Sequence, residues 1–224
     1  MKVRIYQINK ELDTENALFM GFDFAEKHGG VDPSVYKCVF DGSLNCSDIE
    51  DVYALCNTEH PIGYNGHSLS VSDIVELDNT CHFCDSIGFK QLTDFDSSKA
   101  ESLIGKRMLV IESHKAPYEA VIPDKLESLQ DAVGGYIEIT YPFEDNAIVI
   151  SNEESKLIGM DGNRRVNGQI YAGPMLISAD DGSGELADLA DKQIAKYTEI
   201  FRHPEEISKE EVENDTGFTF YSFG

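Results

Sequence analysis

Apolar and polar positions alternate along this chain in a way that predicts many short strands and few helices. Val3, Ile5 and Ile8 stand amid Arg4 and Gln7, which predicts a strand over 2–8. Thr14 to Phe24 is patterned for a short helix with Leu18 and Phe19 inward, and His28-Gly29-Gly30-Val31-Asp32-Pro33 for a loop. A strand over 35–40 follows, closed by a turn at Asp41-Gly42. Ser47-Asp48-Ile49-Glu50 has capping-box spacing and opens a helix toward His60, with Ile49, Val52, Tyr53 and Cys56 on one face. Pro61 ends it.

Residues 66–95 carry the densest pattern of the first half. Val71 to Leu77 fits a half-buried strand, Asp78-Asn79 a turn, and Cys81–Cys84 and Gly88–Leu92 two further short strands, so 70–92 reads as a hairpin or meander. Ser68, Ser70 and Ser72 lie two apart, and in a strand they would share one face. With Asp73 they form a candidate polar binding surface; the alternative is a solvated face whose serines bond nearby backbone.

Residues 93–107 are polar and weakly patterned, which divides the chain into a domain over 1–95, a linker over 96–107 and a domain over 108–224. Met108 to Glu112 opens the second domain as a strand, with Tyr118 to Ile122 its hairpin partner. Asp124 is the expected N-cap of a helix through Val133, striped by Leu126, Leu129 and Val133 and stopped by Gly134-Gly135. Tyr136 to Phe143 alternates, and Asp145-Asn146 turns it into the apolar run Ala147–Ile150. Ile170 to Ala179 is a further strand, with Gly173-Pro174 at a bulge or edge. Leu186, Leu189, Ile194, Tyr197, Ile200 and Phe201 mark an amphipathic helix that Pro204 breaks. Glu205 to Asp215 is expected as a short solvated acidic helix, and Phe218 to Phe223, aromatic at alternate positions, as a last segment docking on its own chain. The fold class is α+β: two small mixed domains, each of antiparallel strands with one or two packed helices.

Charge narrows the partners. Eighteen basic residues face 41 acidic ones, a net charge of −23. Such a chain repels nucleic acid and anionic membrane, so the expected partner is a protein with a basic surface, with no direct contact to nucleic acid or membrane. Acidity also serves solubility alone. No apolar run approaches the roughly 18 residues that cross a bilayer. The start of the chain enters a strand pattern without a signal-peptide core, which gives cytoplasm as the expected location.

Candidate chemistry is sparse. Five cysteines without a signal argue against a disulfide framework. Cys81-x-x-Cys84 lacks a second pair at metal-finger spacing, and in a strand its two thiols point to opposite faces. The Asp180–Glu185 loop lacks the ligand alternation of a calcium-binding EF-hand. With no phosphate loop, paired-histidine helix or nucleophile elbow, no cofactor, metal or catalytic residue is expected. The densest polar cluster of the second half is Asn152, Glu153 and Glu154 with Asn163 and Arg164. A strand–loop–strand would bring its ends together, and arginine forks onto carboxylates. These residues either line a polar pocket or pin a loop.

Gly66-His67-Ser68-Leu69-Ser70-Val71-Ser72-Asp73-Ile74-Val75, with Asp85-Ser86-Ile87-Gly88-Phe89, resembles the YodL-like domain. Gly134-Gly135-Tyr136-Ile137-Glu138, Asn152-Glu153-Glu154, Lys156-Leu157, Asn163-Arg164 and Gly173-Pro174 resemble a domain-of-unknown-function family of phage and conjugative-element proteins. The chain departs from that second pattern at Ser155 and at Met160-Asp161-Gly162. The resemblance implies a mobile-element accessory protein and carries no activity with it. The resulting expectation is a non-enzymatic acidic binding protein, in its sharper form a DNA mimic acting on a host DNA-binding or defence protein. Mimicry needs carboxylates in a row, because duplex DNA presents about one charge per 1.7 Å. The alternative is a small-ligand-binding or enzymatic domain built on Glu153, Glu154, Asn163 and Arg164.

Overall fold

The strand pattern of the first hundred residues resolves into a five-stranded antiparallel sheet in the computed structural model, which describes residues 1–215. The chain divides into two compact units, Met1–Ile104 and Gly105–Gly224. The aromatic segment Phe218–Phe223 lies outside the described residues.

In the first unit the strands are β1 (Lys2–Ile8), β2 (Tyr36–Ser43), β3 (Ile74–Leu77), β4 (Thr80–Cys84) and β5 (Phe89–Leu92), in the order β5-β4-β3-β1-β2. The meander expected over 70–92 is β3–β4–β5. Asp78 and Asn79 both take positive φ, 46° and 68°, as the primed turn of a tight hairpin requires. β2 does not turn at Asp41-Gly42. It runs on to Ser43, because Asp41 pairs with Arg4 across the ladder, accepts from the Arg4 side chain and forms an ion pair with Lys2. Midway along β1 and β2 the register shifts: Ile5 faces Phe40 but Tyr6 faces Cys38, leaving Val39 as a bulge.

The helix expected over 14–24 is displaced to α1 (Phe22–Lys27). The Asp13 carboxylate accepts the amides of Ala17 and Leu18, and Asn16 and Phe19 take positive φ, so this stretch folds as turns. Leu18 packs inward as expected, whereas Phe19 is 52% exposed. α2 (Ile49–Thr58) starts one residue later than its box suggests. Asp48 is the cap, and the Asp51 carboxylate reaches back to the Ser47 amide. Val52 and Cys56 are buried and Tyr53 is turned out. One core of this unit gathers Tyr6, Ile8, Tyr36, Ile74 and Phe83. Phe95 packs its ring on Tyr6 and Tyr36. Within the stretch 96–107, Ala100 is buried, and Glu101 exchanges backbone hydrogen bonds with Tyr36 and Cys38 of β2.

The second unit contains α3 (Leu126–Val133), α4 (Asp191–Ile200) and α5 (Lys209–Asn214). Its strands are β6 (Lys106–Ile111), β7 (Tyr118–Ile122), β8 (Ile137–Thr140), β9 (Ala147–Asn152), β10 (Gly162–Val166), β11 (Gln169–Ala172), β12 (Met175–Asp180) and β13 (Leu186–Ala187). The sheet runs β7-β6-β12-β9-β8, with β13 beside the end of β12. β9 is buried at every position, as its apolar run predicts. Leu109, Val149, Met175 and Ile177 of the sheet meet Tyr171 and, from the α4 end, Tyr197 and Phe201. Ile200 points outward.

Three expectations for this unit are corrected. The α3 N-cap is Lys125; Asp124 instead faces Lys106, and Leu126 is exposed, so the stripe is Leu129, Ala132 and Val133. The strand expected over 170–179 is two strands. Gly173, at φ 69°, breaks it, so that β11 pairs with β10 in a separate hairpin and β12 enters the main sheet. The acidic stretch 205–215 is not simply solvated. Ile207 and Val212 bury against Ile170 and Ala172, Arg165 forks onto Glu205 and Glu211, and Lys156 holds Asp215. The chain is therefore α+β, mostly antiparallel strands with a few short helices. Among the described residues no helix is long and apolar enough to cross a membrane.

Candidate functional site

β3 begins only at Ile74, so the three serines do not share a strand face. Ser68 is exposed, Ser70 half-buried and Ser72 buried at φ 76°. Every backbone and side-chain polar group of Ser72 is engaged. Its amide donates to Cys84 O, its carbonyl accepts from the Tyr36 hydroxyl, and its Oγ accepts from the Phe19 amide. A turn in the left-handed region puts these groups where a strand could not.

Asp73, the next residue, is fully buried. Its Oδ2 accepts from the Ser70 amide at 2.8 Å and from Gln7 Nε2 at 3.1 Å, with His67 Nδ1 at 3.8 Å. Its Oδ1 has no hydrogen-bond partner among the described residues. Burial pushes the carboxyl up to about 7, while the bonds from Ser70 and Gln7 pull it partly back. Gln7 also accepts the His67 amide on Oε1 and donates to His67 O. The Tyr64 hydroxyl donates to the same carbonyl. The bulged Val39 offers its carbonyl to the Asn65 amide, which sets the start of this loop. Sequence reasoning missed Gln7 and Tyr64. The available signal was a glutamine at the inward parity of Val3 and Ile5.

A cavity of about 280 Å³ opens beside Ser72. Ile8, Met20, Phe24, Ala25, Tyr36, Ser72 and Phe83 are among the residues that line it. Asp13, Glu15 and Asp32 bring carboxylates to it, and His28 brings an imidazole stacked on Phe24 at 3.9 Å.

In the second unit the predicted cluster separates. Glu153 and Glu154 are exposed, whereas Asn152, Asn163 and Arg164 are buried. Asn152 donates to Gly134 O and accepts the Glu154 amide, binding the end of α3 to the loop after β9. A side chain at Gly135 would place its Cβ 2.5 Å from Asn152 Nδ2. Asn163 donates to Ile111 O and Gly173 O, both at 2.7 Å. Among the described residues Arg164 forks onto no carboxylate. Its guanidinium donates to Phe201 O, Lys115 O, Asn163 O and Asn163 Oδ1, and burial pulls its pKa down. No hydrogen bond or ion pair among the described residues joins Glu153 or Glu154 to Asn163 or Arg164. Glu154 instead lines an open groove of about 410 Å³ with Tyr136, Asn152 and Ile158.

Thus the strings singled out in each half are those that fasten loops to sheets: Gly66 to Asp73 in the first unit, and Gly134-Gly135, Asn152, Asn163-Arg164 and Gly173 in the second. Residues 2–95 match the model of the YodL-like domain, and residues 106–202 that of a domain of unknown function, DUF3846. The chain joins a YodL-like domain to a DUF3846 domain. No curated protein and no solved structure matches it. In the YodL-like domain the matched span ends at Phe95, the residue whose ring closes the core against Tyr6 and Tyr36. In the DUF3846 domain it ends at Arg202, just past the Phe201 carbonyl that Arg164 holds. Among the described residues no three His, Cys, Asp or Glu side chains gather as a metal site.

Proposed function

We propose that this chain is a non-enzymatic acidic binding protein, an accessory of a mobile element, that engages a basic surface on a partner protein. The observation that carries the reading is where the chain's own cations go. Lys2, Arg4, Arg107, Lys156, Arg165 and Lys196 each sit on a carboxylate, and Arg164 is buried on carbonyls. The excess behind the net charge of −23 is thereby left to side chains such as Glu50, Asp131, Glu153, Glu154 and Glu210, which are exposed. In the sharper form of the proposal the partner is a host DNA-binding or defence protein, and the carboxylates stand where phosphates would.

The test is affinity capture from bacterial lysate with the tagged full chain at low and high salt, followed by competition with duplex DNA. Exposed charge pairing acts over a screening length of about 8–10 Å at physiological salt and fades as salt rises. The reading expects a basic protein retained at low salt and released at high salt. Displacement by duplex DNA supports mimicry. A partner that stays bound in high salt and ignores DNA overturns the electrostatic reading.

A further inference from the structure

The cavity beside Ser72 lies within the YodL-like domain, apart from the acidic surface. Its walls mix polar groups with apolar and aromatic ones, the latter from Ile8, Phe24, Val31, Tyr36 and Phe83. Among the described residues its lining holds three acidic residues, Asp13, Glu15 and Asp32, one histidine, His28, and no lysine or arginine. We propose that this cavity binds a small organic cation, an amine with an apolar body.

Three features support that class of ligand. First, aromatic residues and acidic residues line one space, and a cation over an aromatic face gains about 0.5–2 kcal/mol depending on its desolvation. Second, two of the carboxylates are held in place. Asp13 accepts the Ala17 and Leu18 amides, and Asp32 accepts the Ser34 amide and hydroxyl. Glu15 is exposed, which leaves its carboxylate available at the cavity. Third, the side formed by the turns before α1 is pinned. Ser72 Oγ takes the Phe19 amide, and Asp85 takes the Phe22 amide at 3.2 Å. The Tyr36 phenol reports the same field. Burial raises its pKa first, and the charges of Asp73, Asp13 and Asp32 raise it further. An amine entering here would find acidic residues around a space of about 280 Å³ lined by both apolar and polar groups, which suits a small molecule. The inference does not depend on the protein-binding reading, since it concerns an interior space rather than the acidic surface.

The experiment is an amide-resolved NMR titration of the full chain with phenethylamine, tetramethylammonium and the uncharged phenethyl alcohol. Saturable shifts are expected for phenethylamine at Phe24, Tyr36 and Ser72, with phenethyl alcohol about tenfold weaker for want of a charge. Glu15→Gln should weaken the amine about three- to tenfold and leave the alcohol unchanged. Ala17→Phe, which fills the space, should abolish saturation while the spectrum stays folded. Equal binding of amine and alcohol overturns the proposal. So do shifts that scatter over the acidic surface and vanish with salt, or no saturable shift from either amine.

Discussion

Gln7 and Asp73 are 66 residues apart in the chain, and the side-chain amide of the first donates to the carboxylate of the second over 3.1 Å. That one contact fastens the central strand β1 to the turn that precedes β3. The carboxyl is fully buried, and among the described residues its other oxygen has no hydrogen-bond partner.

Stability should therefore fall as pH rises through the weakly acidic range. The fold pushes Asp73 up to about 7, against about 3.9 for an unfolded aspartate. Between those values the native chain holds a proton that the unfolded chain has lost, so stability drops with rising pH, and the loss is complete above about 7. Its size is of the order of a few kcal/mol. Asp73→Asn should remove that component, narrowing the difference between urea midpoints at pH 5 and pH 8. Parallel profiles for variant and wild type would refute this.

Gly66→Ala should be costly although the glycine sits in a surface loop. An added Cβ would lie 2.3 Å from Gln7 Oε1 and 3.0 Å from Val39 Cγ2. Moving Gln7 breaks its bonds to His67 and Asp73, so a loss of about 1–3 kcal/mol is expected from denaturant melts. A variant as stable as wild type would mean that the Gln7 network is dispensable.

Arg164→Lys should behave as a severe change. A lysine cannot span the carbonyls of Lys115, Asn163 and Phe201 that the guanidinium reaches together. Leaving buried carbonyls unsatisfied costs about 1–3 kcal/mol for each. Thermal unfolding should drop by several degrees, and Arg165→Lys, at an exposed ion pair, should change little by comparison.

Thiol labelling should be slow and ordered. Burial pushes Cys38 and Cys81 up to about 11 and Cys56 up to about 12, and raises Cys84 as well. Cys46 is only half-buried. Brief alkylation of the native protein at pH 8 should mark Cys46 first by mass spectrometry, and the other four only after unfolding. Early labelling of Cys56 or Cys84 would place the opening of their surroundings close to native conditions.

How much of this was legible depends on distance along the chain. The meander could be read because its turn, Asp78-Asn79, and its alternation are local. The α3 stop at Gly134 is equally local, taking the left-handed cap that a glycine there predicts. Ser72 and Asp73 could not be placed, because what curls them out of a strand is Gln7 on β1 and Cys84 on β4. Arg164 was read toward a carboxylate. Its real acceptors are backbone oxygens at Lys115 and Phe201, which no side-chain pattern advertises. The split of the strand expected over 170–179 has the same origin, in the hold of Asn163 on Gly173.

The bulge at Val39 has a consequence for which length variants this domain can carry. Phe40 and Cys38 share parity along β2, yet Phe40 lies opposite Ile5 while Cys38 joins Tyr36 in the core with Tyr6 and Ile8. The extra residue acts as a spatial frameshift: before it β2 is read in one phase, after it in the other. Deleting Val39 itself would leave Phe40 opposite Ile5 and Cys38 opposite Tyr6 in a regular ladder, whereas deleting any other residue of β2 would turn part of the strand inside out. A deletion elsewhere in β2 would thus be felt like a core mutation, whereas loss of the bulged residue would be felt at the loop that its carbonyl holds through Asn65.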